Sequence, residues 1–251
     1  VLLAFVLTNT AGLPAASSID RAYWEVTPVG GSPIVWTGGS GDAEKNGLSV
    51  GRTDVLMVAL PTPVPDGEAD QAARFSLSAL TSDWSLPEHQ HHILLVATDI
   101  DEKSGLPVRC DFTRVVAAVA RASSAVGVYW GAGPATHEPG FFIETTRDNQ
   151  LPLLVWTGLS VARDEDRVSL LSVGMQQFGM DDLLLTAPAD QASSALDMFI
   201  DLLQYALQRG RTVRAGETVG RSNDERFAVT SEVSPMDPDA RVWRVDWPGP
   251  G

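Results

Sequence analysis

The sequence predicts an α+β fold: two related ferredoxin-like (split βαβ) halves with mostly antiparallel sheet, packed as one compact unit. Three observations predict it. Short apolar runs alternate with amphipathic helical patterns along the whole chain. In the first half they come in the order strand, helix, strand, strand, helix, strand, which is the order of a split βαβ unit. Residues 51–61 and 179–188 share their punctuation, each a Gly, an Asp, an aliphatic strand and a Pro. Duplication of one α+β unit produces such an echo, and so does chance. The halves divide into 1–108 and 109–251.

Each element follows from local pattern. Residues 1–8 read as a buried strand, and 13–24 as a short helix with Pro14 in its first turn. The apolar start and the small residues at 11–18 mimic the end of a secretory signal but lack its positive opening, so strand then helix is the reading. Residues 34–37 form a brief strand. The glycine-rich run Gly38-Gly39-Ser40-Gly41-Asp42 has no Lys-Ser/Thr after it and enters no helix, so it reads as a hairpin connection rather than a phosphate cradle. Residues 54–60 form a strand stopped by Pro61, Pro63 and Pro65. Asp66 or Glu68 opens a helix with Ala73, Leu77, Leu80 and Trp84 on one face. Residues 92–98 form the next buried strand.

The second half opens on a helix whose face carries Phe112, Val115, Val116, Val119 and Ala122. It runs into Ser124-Ala125-Val126-Gly127-Val128-Tyr129-Trp130-Gly131, a strand apolar on both faces that needs cover on both. Residues 141–148 are a helix or an irregular segment. Residues 151–161 and 167–173 form a hairpin with Arg163-Asp164-Glu165-Asp166 as its turn. Gly174 to Gly179 breaks the pattern, and 182–186 is a short strand. Residues 189–208 are the clearest helix: Ala192, Ala195, Leu196, Phe199, Leu203, Ala206 and Leu207 line its buried stripe, and Gly210 suits its C-terminal end. Two strands, 225–230 and 242–247, close the chain. In the last, Trp243, Val245 and Trp247 alternate with Arg244 and Asp246, so one face is wet.

Composition narrows the function. The 251 residues are 44% hydrophobic and carry a formal net charge of −14. That charge repels nucleic-acid phosphates and anionic membrane, and it favours a basic partner or plain solubility. One cysteine, Cys110, allows no internal disulfide and suits a reducing cytoplasm. No run approaches a membrane span. Seven tryptophans sit mostly at strand and helix ends, as core lids or interface anchors.

Several constellations carry possible chemistry. Glu88-His89-Gln90-His91-His92 gathers three histidines, but only His89 and His91 share a strand face and no helical i, i+4 pair exists. No metal is assigned; His89 and His91 are the pair with ligand chemistry. His137 and Glu138 follow Tyr129 and Trp130 across a glycine-rich turn, an acid–base arrangement at a strand end. Gly216-Glu217-Thr218-Val219-Gly220 fixes a tight turn and presents a hydroxyl. Asp181 and Asp182 read as an ordinary strand entry, and Met175, Phe178 and Met180 as core.

An ordered set of motifs carries a family resemblance. Residues 125–131 and 151–156, Gly174-Met175-Gln176-Gln177-Phe178-Gly179 and Gly216-Glu217-Thr218-Val219-Gly220 come in this order. With them go Pro61 to Pro65, Trp84 and His91-His92-Ile93. The chain resembles the bacterial domain of unknown function 4261 family over most of its length, best from about residue 50. The resemblance implies a bacterial protein without a cofactor and brings no activity. By analogy, small acidic proteins of this kind resemble immunity or accessory proteins of bacterial competition systems.

The expectation is a non-enzymatic, cytoplasmic protein-binding module. It occludes a basic partner such as a toxin, with no nucleic-acid or membrane partner. Its binding residues are Tyr129, Trp130, His137, Glu217, Thr218, Asp164, Glu165 and Asp166. The acidic runs at 42–44, 99–102 and 164–166 supply its charge. The alternative is a hydrolase or transferase with a pocket around Tyr129, Trp130, His137 and Thr218. A structural subunit that pairs with its own copy through an apolar interface is the third reading.

Overall fold

A computed structural model describes residues 1–38, 44–98, 105–148, 150–220 and 225–248. The fold is α+β, in two compact units, Val1–Gly158 and Leu159–Gly251. The first holds β1 (Leu2–Thr8), α1 (Ala16–Val26), β2 (Ile34–Trp36), β3 (Lys45–Val50), β4 (Thr53–Leu60), α2 (Glu68–Ala72) and α3 (Leu77–Thr81). It continues with β5 (His91–Ala97), α4 (Gly105–Ala122), β6 (Gly127–Trp130), β7 (Ala135–His137), α5 (Pro139–Asp148) and α6 (Leu153–Trp156). Its strands form one sheet in the order β2-β3-β4-β5-β1-β6-β7, antiparallel at every pair.

α4 is the crossover from β5 to β6. It packs on β1 and β4, with α1 and α5 against it. Ser124 ends it in the left-handed region at φ 51°, and Ala125 N–H closes back to Ala120 O at 3.0 Å. That arrangement satisfies a carbonyl of the last turn and turns the chain into β6. The boundary expected at 108/109 therefore falls inside a helix. β6 pairs with β1, so the first unit runs on to Gly158.

The single helix expected from Asp66 to Trp84 is broken. Asp66 and Gly67 have φ 57° and 62°, and Ser76 is extended, so only α2, α3 and two short 3₁₀ turns form. The reason is placement: this segment wraps the β7 edge instead of lying straight. Thr136 Oγ1 donates to Ala69 O at 2.6 Å, and Ser76 meets His137. An edge strand covered in this way is closed to further pairing. Two strands of this unit are new: β3, whose Lys45-Asn46-Gly47-Leu48-Ser49-Val50 is polar on one side, and β7, read from the sequence as part of a turn. Residues 153–156 are a helical turn, not strand. Pro152 opens it, Thr157 Oγ1 donates to Leu153 O at 2.9 Å, and Trp156 Nε1 donates to Thr113 Oγ1 at 2.7 Å. Residues 141–148 fall within helix α5.

The second unit holds β8 (Gly158–Arg163), β9 (Arg167–Val173), β10 (Asp182–Pro188), α7 (Ala192–Arg209), β11 (Thr218–Val219), β12 (Phe227–Val233) and β13 (Arg241–Asp246), in the order β11-β12-β13-β10-β9-β8. β10 and β13 run parallel, with Asp182 opposite Val242; the other pairs in register are antiparallel. Leu183, Leu185, Trp243 and Val245 form one fully buried face, and α7 packs on β10 and β9. Gly210 ends α7 at φ 66°. This topology differs from that of the first unit: it has one long helix and a parallel pair. The expected pairing of two like halves is not the arrangement of these sheets, and the echo at 51–61 and 179–188 sits in strands with different neighbours.

Asp182 holds the bend before β10. Its carboxylate accepts from Ser172 Oγ at 2.7 Å, Met175 N at 3.0 Å, Gln176 Nε2 at 2.5 Å and Gly174 N at 3.5 Å. Burial pushes its pKa up, and the four donors pull it back. An Asp182→Asn substitution keeps the shape but turns an amide donor toward these donors. We expect a loss of about 2–3 kcal/mol in urea unfolding followed by tryptophan fluorescence. An unchanged midpoint would show that the carboxylate does not hold the bend.

Candidate functional site

One face of the first sheet is only half covered. Pairing places Leu3, Val96 and Leu56 in one row across β1, β5 and β4, and Phe5, Leu94 and Val58 in the next. Residues opposite one another in a sheet share a face, so the two rows make one apolar patch. The reverse face, with Ala4, Val6, Val55, Met57, Ile93 and Leu95, is buried. The segment around α2 covers part of the patch side: Val64, Ala69 and Ala72 pack on Leu7 and Tyr129. The rest stays open. Leu3 is 38% exposed and Leu56 37%, while Phe5, Val58, Leu94 and Val96 are half-buried. Asp54 borders the patch, bonded by Ser49 Oγ at 2.5 Å, and Val35 stands opposite Ser49 at 57% exposure. Contiguous exposed apolar surface of this kind marks an interaction site more often than scattered single residues do.

The expected acid–base site is closed. His137 is fully buried between Phe141 and Phe142, and its Nδ1 lies 2.9 Å from Ser76 Oγ. Ser76 and Ser78 share a hydrogen bond of 2.6 Å, and Ser78 Oγ accepts from Glu138 N at 3.2 Å. Burial pushes the His137 imidazole down to about 3, against a small pull from the Val155 backbone. The ring is therefore neutral at physiological pH, in a network whose side chains include no carboxylate.

Tyr129 and Trp130 point to opposite faces of β6, as successive strand residues do. Tyr129 stacks on Phe5 at 5.3 Å and donates to Glu68 Oε1 at 2.8 Å; burial, then Glu68, raises its pKa. Trp130 packs on Phe112 and shares Phe142 with His137. These three residues do not line one pocket. Thr218 is exposed on β11 of the second unit.

Glu217 is a clamp. Its carboxylate takes both terminal nitrogens of Arg211, at 2.9 and 2.7 Å, and the Arg214 backbone N–H at 2.7 Å. The Arg211 bond, then the Arg214 N–H, holds its pKa down to about 2. Gly216, at φ 87°, makes the turn. A Cβ on Gly220 would meet Glu225 O at 1.4 Å, so only glycine fits there. Asp164 closes the β8–β9 turn by accepting from Asp166 N and Arg167 N, while Glu165 and Asp166 are exposed. The acidic runs at 42–44 and 99–102 lie outside the described residues, Glu44 excepted.

Neither histidine of the expected ligand pair gathers partners. His89 is buried and His91 half-buried, and among the described residues no three His, Cys, Asp or Glu side chains are placed to hold a metal. His92 Nδ1–H donates to Thr62 O at 2.8 Å, and burial lowers its pKa. Burial also pushes the Cys110 thiol up to about 11. Sequence reasoning missed the roles of Ser76, Ser78 and Asp182. The signal for Asp182 was a carboxylate leading an apolar strand directly after a glycine-flanked, amide-rich bend.

With this geometry in place, comparison with known proteins locates the family signal. Residues 171–246 match the family described as Domain of unknown function (DUF4261). That segment is similar to the family. The DUF4261 segment runs from β9 to the end of β13 and contains the Asp182 bend and the Glu217 clamp. The other motifs of the resemblance, from Pro61 to Trp156, lie outside the match. No curated protein and no solved structure matches the chain. Among the described residues, no helix is long and apolar enough to cross a membrane.

Two pH effects follow, with different windows. Unfolded, His137 titrates near its ordinary 6.5; folded, at about 3. Stability is thus whole above about pH 6.5 and falls as pH drops toward 3, because the unfolded chain binds the proton first. His137→Gln should flatten that slope in unfolding free energy against pH; an unchanged slope would show that His137 does not set it. Glu217 is depressed, so its contribution is present above about pH 4.5 and lost as pH falls through about 2. Glu217→Gln should lower the melting temperature above pH 4.5 and match the parent near pH 2. A gap that persists at pH 2 contradicts the clamp.

Proposed function

We propose that this protein is a non-enzymatic binding module whose first unit holds a basic protein partner against the open face of its seven-stranded sheet. The observation that supports this is the pair of apolar rows, Leu3-Val96-Leu56 and Phe5-Leu94-Val58, left uncovered beside the segment that covers Tyr129. Charge selects the partner. Residues 1–158 hold 17 Asp and Glu against 9 Lys and Arg. A second copy brings the same excess and is repelled; a basic surface is drawn in, with a salt-dependent association rate. The apolar rows supply the burial, and the net negative charge of residues 1–158 sets the choice of partner. Covering the partner's own working surface is the mechanism such a face suits, and a bacterial toxin held by its immunity protein is one instance. The sealed His137 network and the divergent Tyr129 and Trp130 weigh against the hydrolase or transferase reading.

The test is a photo-crosslinking residue at Leu56, with Asp201, exposed on α7, as control, in the source cell. We expect a single basic protein joined at 56 and none at 201. The purified partner should bind this chain more weakly as salt rises. Leu56→Lys, at an exposed position, should weaken binding about tenfold or more. Self-adducts alone, equal labelling at 201, or no adduct at 56 would overturn the proposal.

A further inference from the structure

Where the chain leaves α7, the second unit contains a cavity of about 450 Å³ that plays no part in the reading above. Its lining includes Asp181, Arg211, Thr212, Arg214, Ser231 and Trp243. We propose that this cavity binds a small organic oxyanion, a carboxylate or phosphate monoester that also carries a hydroxyl or amine.

The lining is rich in unspent donors. Trp243 is 1% exposed, and its buried Nε1–H has no acceptor among the described residues. A buried donor left unmade costs about 1–3 kcal/mol, and Trp243 is one of the residues that line the cavity. Thr212 Oγ1 already accepts from Asp181 N at 2.8 Å, and Ser231 Oγ from Arg241 Nε at 2.9 Å. Each hydroxyl keeps its own hydrogen to donate. The Arg214 guanidinium is exposed and has no ion pair among the described residues.

Charge and rigidity agree with this. The run Arg209-Gly210-Arg211-Thr212-Val213-Arg214 places three arginines within six residues of a chain whose net charge is −14. Glu217 is spent on Arg211 and on the Arg214 backbone, so it fixes the loop and leaves the Arg214 head free. Arginine suits an oxyanion because its fork matches two oxygens at once. Asp181 is the one carboxylate in the lining, and it repels a bare anion. A hydroxyl or amine on the ligand turns that repulsion into a hydrogen bond. Val213 and Ala215 meet the carbon frame. The volume lies in the range of small-molecule sites, about 300–1,000 Å³.

The experiment follows the Trp243 indole N–H by two-dimensional NMR on the full chain, with the peak assigned by its loss in Trp243→Phe. The probes are inorganic phosphate, glycerol 2-phosphate, L-malate and L-glutamate at matched ionic strength. We expect glycerol 2-phosphate or one of the two carboxylates to shift that peak saturably in the millimolar range or below. Arg214→Gln should weaken the effect about tenfold or more while leaving the melting temperature unchanged. Phosphomonoester against carboxylate tells the two sources apart. Three results overturn the proposal: no shift with any organic probe, an equal shift with sodium chloride, or an equal shift in Arg214→Gln. Inorganic phosphate acting alone also overturns it, since the site would then read charge without the organic frame.

Discussion

α4 is the constraint on which the first unit depends. Its buried residues run from Val108 to Ala120 and leave almost no face for solvent. From Val115 to Ala120 every residue is apolar, and a stretch of helix apolar all round must be enclosed. Sheet strands β1 and β4 close one side, and α1 and α5 the others. Each large side chain so enclosed, such as Phe112, Val115 or Val119, contributes about 1.5–3 kcal/mol of burial. Ala117, Ala118 and Ala120 let the neighbouring elements come close. This packing commits one sheet face to the helices for good. Whatever else the sheet does, it does with the other face, and half of that is taken by the segment around α2.

Much of this was legible in the sequence. The 3.6-residue periodicity of Phe112 to Ala122 and of Ala195 to Leu207 announced both long helices, because each has one stripe too apolar to leave wet. The strands at 1–8, 54–60, 92–98 and 182–186 were legible for the same reason. Elements built on a few polar contacts were not. β3 carries a lysine, an asparagine and a serine, and only its register against β4 makes it strand. The segment 65–81 shows helical spacing, yet Asp66, Gly67 and Ser76 break it, because contacts with β7 outweigh local preference. Leu153 to Trp156 reads as strand by composition, while Pro152 and the Thr157 hydroxyl close it into a turn of helix.

The candidate surfaces were harder to read. A run such as Val55 to Leu60 is apolar at every position, so it predicts cover on both faces and hides the face left open. Leu3, Leu56 and Val96 come from three distant stretches, and only pairing brings them into a row. Glu217 was visible as a residue between two glycines, but its partners Arg211 and Arg214 were not. His137 misled because a histidine beside a glutamate looks reactive; nothing in the sequence told of the two phenylalanines and two serines that seal it.

The parallel pairing of β10 with β13 has a consequence for how the chain acquires its shape. β8, β9, β10 and α7 are made first and stay beside one another by short connections. The partner for the other edge of β10 is the last strand of the unit, and Trp243 travels with it to lie opposite Leu183. Until that strand arrives, β10 offers an unpaired edge and the sheet lacks part of its buried face. Assembly of this unit therefore waits on its longest loop closure, which slows folding and lengthens exposure to aggregation. A break anywhere between 210 and 240 would detach the closing strand from the rest, and the DUF4261 segment spans nearly all of that circuit.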